Sequence, residues 1–334
     1  MDGSYREKFE SLEKESLRPQ ACLSIASRGR ARPEPPDDIR TSFQRDRDRI
    51  VHSKAFRRLA HKTQVFLAPE GDHYRVRLTH TLEVTQVART IARALALNED
   101  LVEAICLGHD LGHTPFGHLG EEVVARWHPG FRHNLQSVRI VDVLEDLNLT
   151  WEVRDGIANH TWSMPMPETL EGQIARYADR IAYLNHDIDD AVRAGILCED
   201  GLPEVTRSVL GTTHSDRIHR MVIDLVEASR NLAEIRMSPE VFAAMMATRD
   251  FLFERVYIGR IGAARQEAVE RIVETLLDHY ASSPGAAPRP QRPDDHSEPR
   301  VRAVDYVAGM TDRFALRAFE ELVGAAGPSL GVLG

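Results

Sequence analysis

Apolar residues recur along most of the chain at the three- and four-residue spacing of amphipathic helices. No stretch keeps a sustained alternation of apolar and polar positions between turn residues, which is the pattern typical of strands. In the segment 75–97 the apolar positions share one helical face: Val84, Val87, Ile91 and Leu95. The pattern predicts an all-α protein.

Three further helices are predicted in the middle of the chain. Asn98 is a residue type favoured just before a helix, so a second helix is expected over 101–111. A third is expected over 134–147 and a fourth over 172–197. Each has one apolar stripe, so the helices are expected to pack as a bundle.

The sequence divides into an N-terminal extension over 1–40, a core over 41–200 and a C-terminal helical region over 201–334. In that last region the stretch 282–299 is rich in Pro, Ser and charge and too poor in apolar residues to pack. It is expected to be a mobile loop. The remaining helical patterns are at about 203–233, 239–281 and 301–324.

Composition places the chain among folded globular proteins, with 42% hydrophobic and 28% charged residues in 334. No apolar run is long enough to span a membrane and the first residues lack an export signal, so a cytoplasmic location is expected. The net charge of -9 argues against a general nucleic-acid coating protein. The segment 28–68 nevertheless has eleven Lys or Arg against five Asp or Glu, which suits a phosphorylated ligand.

Histidine is abundant, with 15 residues, most of them in the segment 52–186. His109 and Asp110 are adjacent near a predicted helix end, where both side chains can reach one ion, although such a pair is often an ordinary helix end. His80 lies on an apolar stripe, where a hydrogen-bonded core histidine is the common alternative. Asp179 falls in mid-helix among apolar residues, and a buried carboxylate there requires a cation or another partner.

Two imidazoles and two carboxylates form a mixed nitrogen and oxygen ligand set. Such a set suits Mn²⁺, Fe²⁺, Co²⁺ or Mg²⁺ with open coordination positions better than a closed structural zinc site. Open positions are typical of a catalytic metal, which lowers the pKa of a bound water and neutralises charge on a phosphoryl oxygen.

Other ionisable residues surround this set in the sequence. Arg77, on the same predicted helix as the first histidine, is suited to bidentate contact with phosphate. His118 and Glu121 have the spacing of an acid/base pair, with an acidic first helical turn beside an incidental histidine as the alternative. Tyr183, His186 and Asp187 belong to a polar stripe that faces either a cavity or solvent.

These residues lie in strings that resemble the deoxyguanosinetriphosphate triphosphohydrolase family within the HD-domain phosphohydrolases. The order His80, His109-Asp110, Asp179 is similar to the H...HD...D metal signature of that superfamily. More specific strings cover the chain from about 28 to 320: RDRDRIVHSKAFRRLAHKTQVF (45–66), RLTHTLEV (77–84), GHDLGHTPFGHLGEE (108–122), FRHNLQS (131–137), ADRIAYLNHDIDD (178–190) and YVAGMTDRFA (306–315).

The resemblance implies an HD-domain helical bundle with additional C-terminal helices. It implies hydrolysis of deoxynucleoside triphosphates to deoxynucleoside and inorganic triphosphate, in which water attacks the α-phosphorus. In this reaction His118 protonates the departing 5'-oxygen and pairs with Glu121. The implied ligands of a divalent metal (Mn²⁺, Mg²⁺, Co²⁺ or Fe²⁺) are His80, His109, Asp110 and Asp179. The implied substrate contacts are Arg77, His113 and His133 on the phosphates, Gln64 on the sugar, and Tyr183 and Asp187 on the ring and the 3'-hydroxyl; Arg57 and Lys62 are weaker phosphate candidates.

The same resemblance implies a homo-oligomer and, in some members, activation by a nucleotide or single-stranded DNA at a second site. Two alternatives stay open. One is another HD-domain phosphohydrolase, such as a deoxynucleoside 5'-monophosphatase or a phosphodiesterase. The other is a non-catalytic regulator that binds nucleotide or single-stranded DNA. The complete ligand set and the many neighbouring histidines favour the triphosphohydrolase.

Overall fold

The computed structural model describes residues 4–64, 75–231, 233–257, 263–283, 285–287 and 297–324. Regular structure in these ranges is helical, apart from isolated β-bridges between Arg30 and Thr150 and between Thr63 and Val76. The all-α prediction is therefore confirmed. Within the described ranges, no helix has both the length and the apolar character needed to cross a membrane.

The α-helices are numbered here in chain order. They are α1 Tyr5–Ser16, α2 Ser42–His52, α3 Lys54–Arg58, α4 Arg77–Ala94, α5 Glu99–Gly108, α6 Gly117–Trp127, α7 His133–Arg139, α8 Trp151–Asn159, α9 Leu170–Arg193, α10 His214–Ala228, α11 Pro239–Leu252, α12 Ala263–Ser282, α13 Pro299–Ala308 and α14 Asp312–Val323. Short 3₁₀ segments are Ser24–Ala26, Leu59–His61 and Glu199–Gly201, and π segments are Ile140–Leu144, Thr206–Leu210 and Phe253–Tyr257.

The chain forms two compact units, each assembled from separate stretches of sequence. The first unit comprises Met1–Arg49, His80–Leu107 and Leu149–Arg260, and the second comprises Ile50–Thr79, Gly108–Asn148 and Ile261–Gly334. The domain boundaries expected from the sequence, at 40 and 200, stay predictions.

In the first unit α8, α10 and α11 pack on the long helix α9. The apolar stripe predicted for 75–97 is buried, at Val84, Val87 and Ile91 on α4 and at Leu95 just after it. The stripe of α9 is buried as well, at Ile174, Ala178 and Ile181. This packing fixes which faces of α4 and α9 remain for polar side chains, and those faces bear the histidines and carboxylates of the site.

In the second unit α12 packs against α6, α13 and α14. Their shared apolar cluster includes Phe116, Val124, Val269, Leu276, Val304 and Phe319. Burying such side chains is the main source of stability in a domain of this kind. The cluster anchors α6, which bears His118 and Glu121.

The second predicted helix ends earlier than expected. Helix α5 stops at Gly108, so His109 and Asp110 lie in the turn that follows it. That turn packs closely on α7: a Cβ added at Gly112 would lie 2.2 Å from the carbonyl oxygen of His133. Glycine is therefore required there, because any side chain would displace the turn or α7.

The third and fourth predicted helices are confirmed, the third with a change from α-helix to π-helix part of the way along. The third predicted helix is α7 followed by the π segment Ile140–Leu144, and the fourth is α9. In the predicted C-terminal loop, residues 284 and 288–296 lie outside the described residues, while α12 ends at Ser282 and α13 begins at Pro299.

Asn98 caps α5 as its residue type predicts. Its Oδ1 accepts the backbone N–H groups of Asp100 at 3.1 Å and Leu101 at 3.2 Å. Its Nδ2 donates to the carbonyl oxygen of Cys22 at 2.9 Å. With the residue only 2% exposed, these groups have little access to water if the side chain is removed.

We expect Asn98→Ala to lower the free energy of unfolding by about 1–3 kcal/mol, since the cap is lost and the partly buried carbonyl of Cys22 loses its donor. Asn98→Ser retains a capping oxygen and should lose less. Urea unfolding of both variants checks this, with the denaturant slope unchanged. Stability of Asn98→Ala equal to that of the unmodified chain would contradict the role of the cap.

Candidate functional site

Within the first unit, α4 and α9 bring together four polar side chains that we call the His80 cluster: His80, Glu83, Asp179 and His186. The Nε2 atom of His80 lies 3.2 Å from Oδ1 of Asp179. Its other ring nitrogen, Nδ1, lies 3.3 Å from Nδ1 of His186. His186 Nε2 is in turn 3.0 Å from Oε2 of Glu83.

The pair His80 and Asp179 fits a shared divalent ion. Two ligand atoms bound at about 2.1 Å from one ion are separated by roughly 3 Å. The observed 3.2 Å between Nε2 and Oδ1 matches this separation. His80 is 1% exposed and the Asp179 side chain 25%, so the pair is shielded yet open on the carboxylate side.

Tyr183 and Asp187 follow Asp179 on α9 at one and two helical turns. Asp187 is fully buried and Tyr183 is half-buried. Burial, and then the charge of Asp187, raise the pKa of Tyr183 far above its usual range. The phenol therefore stays protonated at neutral pH and is available as a hydrogen-bond donor.

Within the second unit, four side chains form the Asp110 cluster: Arg77, His109, Asp110 and His113. Arg77 Nη1 donates to Oδ2 of Asp110 at 3.0 Å. The Nε2 atoms of His113 and His109 lie 3.3 Å and 3.4 Å from Oδ1 of the same carboxylate. The distance to His109 again fits two ligand atoms of one ion, by the reasoning given for His80 and Asp179.

Electrostatics in this cluster favour an ionised carboxylate beside a neutral imidazole. Burial by itself would raise the pKa of Asp110, but His109, His113 and Arg77 outweigh it and hold that pKa well below its usual range. Burial, and then the charges of Arg77 and His133, push the pKa of His113 well below its usual value. The ionised carboxylate of Asp110 is the protonation state that a metal ligand requires.

The guanidinium of Arg77 has N–H groups that can donate further hydrogen bonds. The residue is 1% exposed, and among the described residues its Nε and Nη2 atoms find no hydrogen-bond acceptor. Leaving N–H groups of a buried guanidinium unpaired is costly, and a phosphate oxygen is an acceptor that the guanidinium fork suits. The predicted phosphate role of Arg77 is therefore compatible with its surroundings.

Glu121 on α6 lies beside the Asp110 cluster and holds His133. Its Oε1 lies 2.8 Å from Nδ1 of His133 and accepts that residue's backbone N–H at 2.9 Å. The rings of His133 and His113 stack, with centroids 3.9 Å apart. Burial would lower the pKa of His133, but Glu121 outweighs it and raises that pKa. The ligand atoms of His113, Glu121 and His133 are close enough together to hold a metal ion jointly.

His118, the predicted acid, lies on the first turn of α6 with its side chain exposed. Its ring centroid is 6.1 Å from that of His113. Desolvation by neighbouring atoms, and then Arg77, lower the pKa of His118, and the charge of Glu121 opposes them. Since the side chain is accessible to solvent, the effect of desolvation is limited. The predicted pairing of His118 with Glu121 stays a prediction.

Gln64 is the predicted sugar contact. It is 6% exposed, and its Oε1 has no donor among the described residues. The neighbouring Thr63 is tied to Asp312, whose Oδ2 accepts the Thr63 backbone N–H at 3.1 Å. A buried amide oxygen held in place but unpaired is suited to accept a ligand hydroxyl.

Lys62, a weaker phosphate candidate from the sequence, has structural contacts instead. Its buried Nζ donates to the carbonyl oxygens of His113 and Ala308. These bonds tie the turn that contains the Asp110 cluster to the end of α13. Burial, reinforced by Arg58 and Arg77, lowers the pKa of Lys62 to about 7.

The structure adds Glu83 to the residues singled out from the sequence. The available signal was its position three residues after His80, which places both side chains on one face of α4. That spacing alone does not identify the partner of Glu83, because His186 lies on a different helix.

Family comparison matches two segments of the chain. Residues 77–184 match the HD domain, and residues 235–321 match the phosphohydrolase-associated domain. The first match contains all four residues predicted as metal ligands.

Three relatives are each named deoxyguanosinetriphosphate triphosphohydrolase-like protein. One from Caldanaerobacter subterraneus subsp. tengcongensis is 55% identical over 323 residues, covering 95% of each chain. One from Desulfatibacillum aliphaticivorans is 48% identical, covering 95% of this chain and 97% of the relative. One from Clostridium perfringens is 46% identical with the same coverage.

A solved structure of a hypothetical protein from Aquifex aeolicus aligns at 21% identity with a TM-score of 0.47. It covers 83% of this chain and 69% of that one. This likeness is too distant to assign a fold or an activity.

The lowered pKa of Lys62 predicts a pH dependence of stability. Between about pH 7 and the ordinary lysine value near 10.4, the unfolded chain binds a proton that the folded chain does not. In this window the Lys62 contribution to the free energy of unfolding should therefore rise with pH, by at most about 1.4 kcal/mol per unit.

Comparison with Lys62→Met isolates this contribution, because other titrating groups are common to both proteins. Urea unfolding at several pH values across the window should show the unmodified chain gaining stability relative to the variant as pH rises. A difference that is independent of pH would show that Lys62 keeps its proton in the folded state.

Proposed function

Because the chain belongs to the deoxyguanosinetriphosphate triphosphohydrolase-like family of HD-domain proteins, we propose that it hydrolyses deoxynucleoside triphosphates to deoxynucleoside and inorganic triphosphate. The observation that carries the proposal is the surroundings of Arg77. This buried guanidinium uses one nitrogen on Asp110 and has two more without acceptors among the described residues. Stacked histidines beside it add to a site suited to several phosphate oxygens.

The proposed ligands of one divalent ion are His80, His109, Asp110 and Asp179. The distances between ligand atoms in the pairs His80–Asp179 and His109–Asp110 fit two ligands of one ion. The mixture of imidazole and carboxylate favours Mn²⁺, Mg²⁺, Fe²⁺ or Co²⁺. When bound, such an ion supplies charge neutralisation at a phosphoryl oxygen and a lowered pKa for water.

Substrate binding is assigned to the residues around these ligands. Arg77, His113 and His133 bind the triphosphate, and Glu121 raises the pKa of His133, which favours the cationic ring that suits an anion. Gln64 Oε1 accepts a sugar hydroxyl, and Tyr183 donates near the sugar ring. Asp187 is assigned to the 3'-hydroxyl.

His118 is assigned to protonate the 5'-oxygen as it leaves the α-phosphorus. That oxygen would otherwise depart as a poor alkoxide leaving group, so a positioned acid is worth roughly 10²- to 10⁴-fold in rate. Desolvation, and then Arg77, lower the pKa of His118, and the charge of Glu121 opposes this lowering and so favours the proton that His118 donates.

Product analysis tests the reaction. Purified protein is incubated with each deoxynucleoside triphosphate, singly and mixed, with Mn²⁺ or Mg²⁺, and products are resolved by chromatography. We expect deoxynucleoside and inorganic triphosphate. Mixtures and single-stranded DNA are included because the family resemblance implies an oligomer with a second effector site in some members.

Other products would support the alternatives. Hydrolysis of deoxynucleoside monophosphates or cyclic nucleotides alone would assign a different phosphohydrolase. Binding of nucleotide or single-stranded DNA with no turnover under any condition would assign a regulator. Release of pyrophosphate and monophosphate would place the cleaved bond beyond the α-phosphorus and overturn the assigned reaction.

Two variants separate the chemical step from metal binding. His118→Ala should lower kcat by roughly 10²- to 10⁴-fold and leave metal content intact. Asp110→Asn should lose metal and activity together, because a buried ligand is removed. His219→Ala, an exposed histidine on α10, is the matched control and should retain both. Full activity of His118→Ala would exclude it as the acid.

A further inference from the structure

A chain of three contacts runs through the His80 cluster from one carboxylate to another. In order, it joins Asp179, His80, His186 and Glu83 at 3.2, 3.3 and 3.0 Å. The two histidines are almost fully buried, at 1% and 2% exposure, while the Glu83 side chain is 40% exposed. A buried ligand position is thus connected to a residue at the surface.

The chain of contacts has a carboxylate acceptor at each end, Asp179 and Glu83, and the two favour opposite tautomers of His80. We follow the order of donors and acceptors that Glu83 sets. An ionised carboxylate only accepts hydrogen bonds, so Glu83 requires the proton of His186 to be on Nε2. In the neutral ring, Nδ1 of His186 then has a lone pair and accepts. The facing Nδ1 of His80 must therefore donate, and its own proton lies on Nδ1.

This arrangement leaves the lone pair of His80 on Nε2. That nitrogen is the one that faces Asp179, and a neutral imidazole binds a metal through its unprotonated nitrogen. With the other tautomer of His80, a proton would stand on Nε2 where the ion is to bind. Glu83, acting through His186, therefore favours the tautomer in which Nε2 of His80 can bind a metal ion.

We propose that Glu83 and His186 are positioning residues, which hold His80 in the tautomer and orientation that binds a divalent cation. The proposal rests on the metal site of the proposed function. Neither residue is assigned a contact with substrate or with the ion.

The surroundings of His186 favour a fixed ring. Its edge meets the His80 ring at 87°, with centroids 5.5 Å apart. On another side the ring of His214 lies nearly parallel to it at a centroid distance of 6.4 Å. A ring held between two neighbours has few alternative rotamers, so its hydrogen bonds can orient His80 at little entropic cost.

Binding of Mn²⁺ tests the proposal without an activity assay. The free ion is followed by its electron paramagnetic resonance signal as metal-free protein is added. Residues that orient a histidine ligand typically contribute 10- to 100-fold to metal affinity. We expect a loss of this size in His186→Leu and about 10-fold in Glu83→Ala.

Two matched variants separate positioning from general disruption. His186→Asn places an amide oxygen near the position of Nδ1, accepts from His80 and should restore part of the affinity lost in His186→Leu. Glu204→Gln removes a different exposed carboxylate of the first unit and should bind Mn²⁺ as the unmodified chain does.

Nitrogen-15 NMR of metal-free Asp179→Ala reads the tautomer directly, because the competing acceptor beside Nε2 of His80 is absent. The His80 signals are those lost when His80→Gln is added. We expect the pattern of a proton on Nδ1 in Asp179→Ala, and a mixture of tautomers when Glu83→Ala is added to it. A proton on Nε2 of His80 in Asp179→Ala would overturn the proposal whether or not the unmodified chain binds metal.

The two proposals fail separately. If the unmodified chain binds no Mn²⁺, the metal site of the proposed function is wrong, and the NMR result still decides the tautomer. If it binds Mn²⁺ and hydrolyses triphosphates while Glu83→Ala and His186→Leu bind equally well, the positioning role alone is wrong.

Discussion

The burial of an ionised carboxylate, Asp110, is the constraint on which much of the second unit depends. A charge removed from water is tolerated only when it is paired and hydrogen-bonded. Arg77, His109 and His113 surround Asp110 and keep its pKa low. His109 and His113 lie in a turn that has no room for a side chain at Gly112, so backbone packing and charge pairing support each other there.

The first unit meets a similar demand in a different way. There the Asp179 carboxylate is partly exposed and lies 3.2 Å from Nε2 of His80. The other ring nitrogen of His80 contacts His186, which in turn contacts Glu83. One unit thus supplies a carboxylate surrounded by an arginine and two histidines, and the other a histidine oriented by hydrogen bonds.

Much of the fold follows from local pattern. The stripe beginning at Val84 predicts α4 because helical periodicity is decided within a few turns, and Asn98 predicts the start of α5 because capping is local. The end of α5 is different. It stops at Gly108 because the following turn packs on α7, a contact that the periodicity of 101–111 does not encode.

By itself the sequence determined the all-α class, the family and which residue types recur at ligand spacing, since these depend on neighbours along the chain. Only the tertiary structure decided the partners of those residues. It joined Glu121 to His133 and Glu83 to His186, pairs on different helices. Such hydrogen bonds require atoms within about 3 Å, and that distance is set by helix packing, which spacing along one chain does not specify.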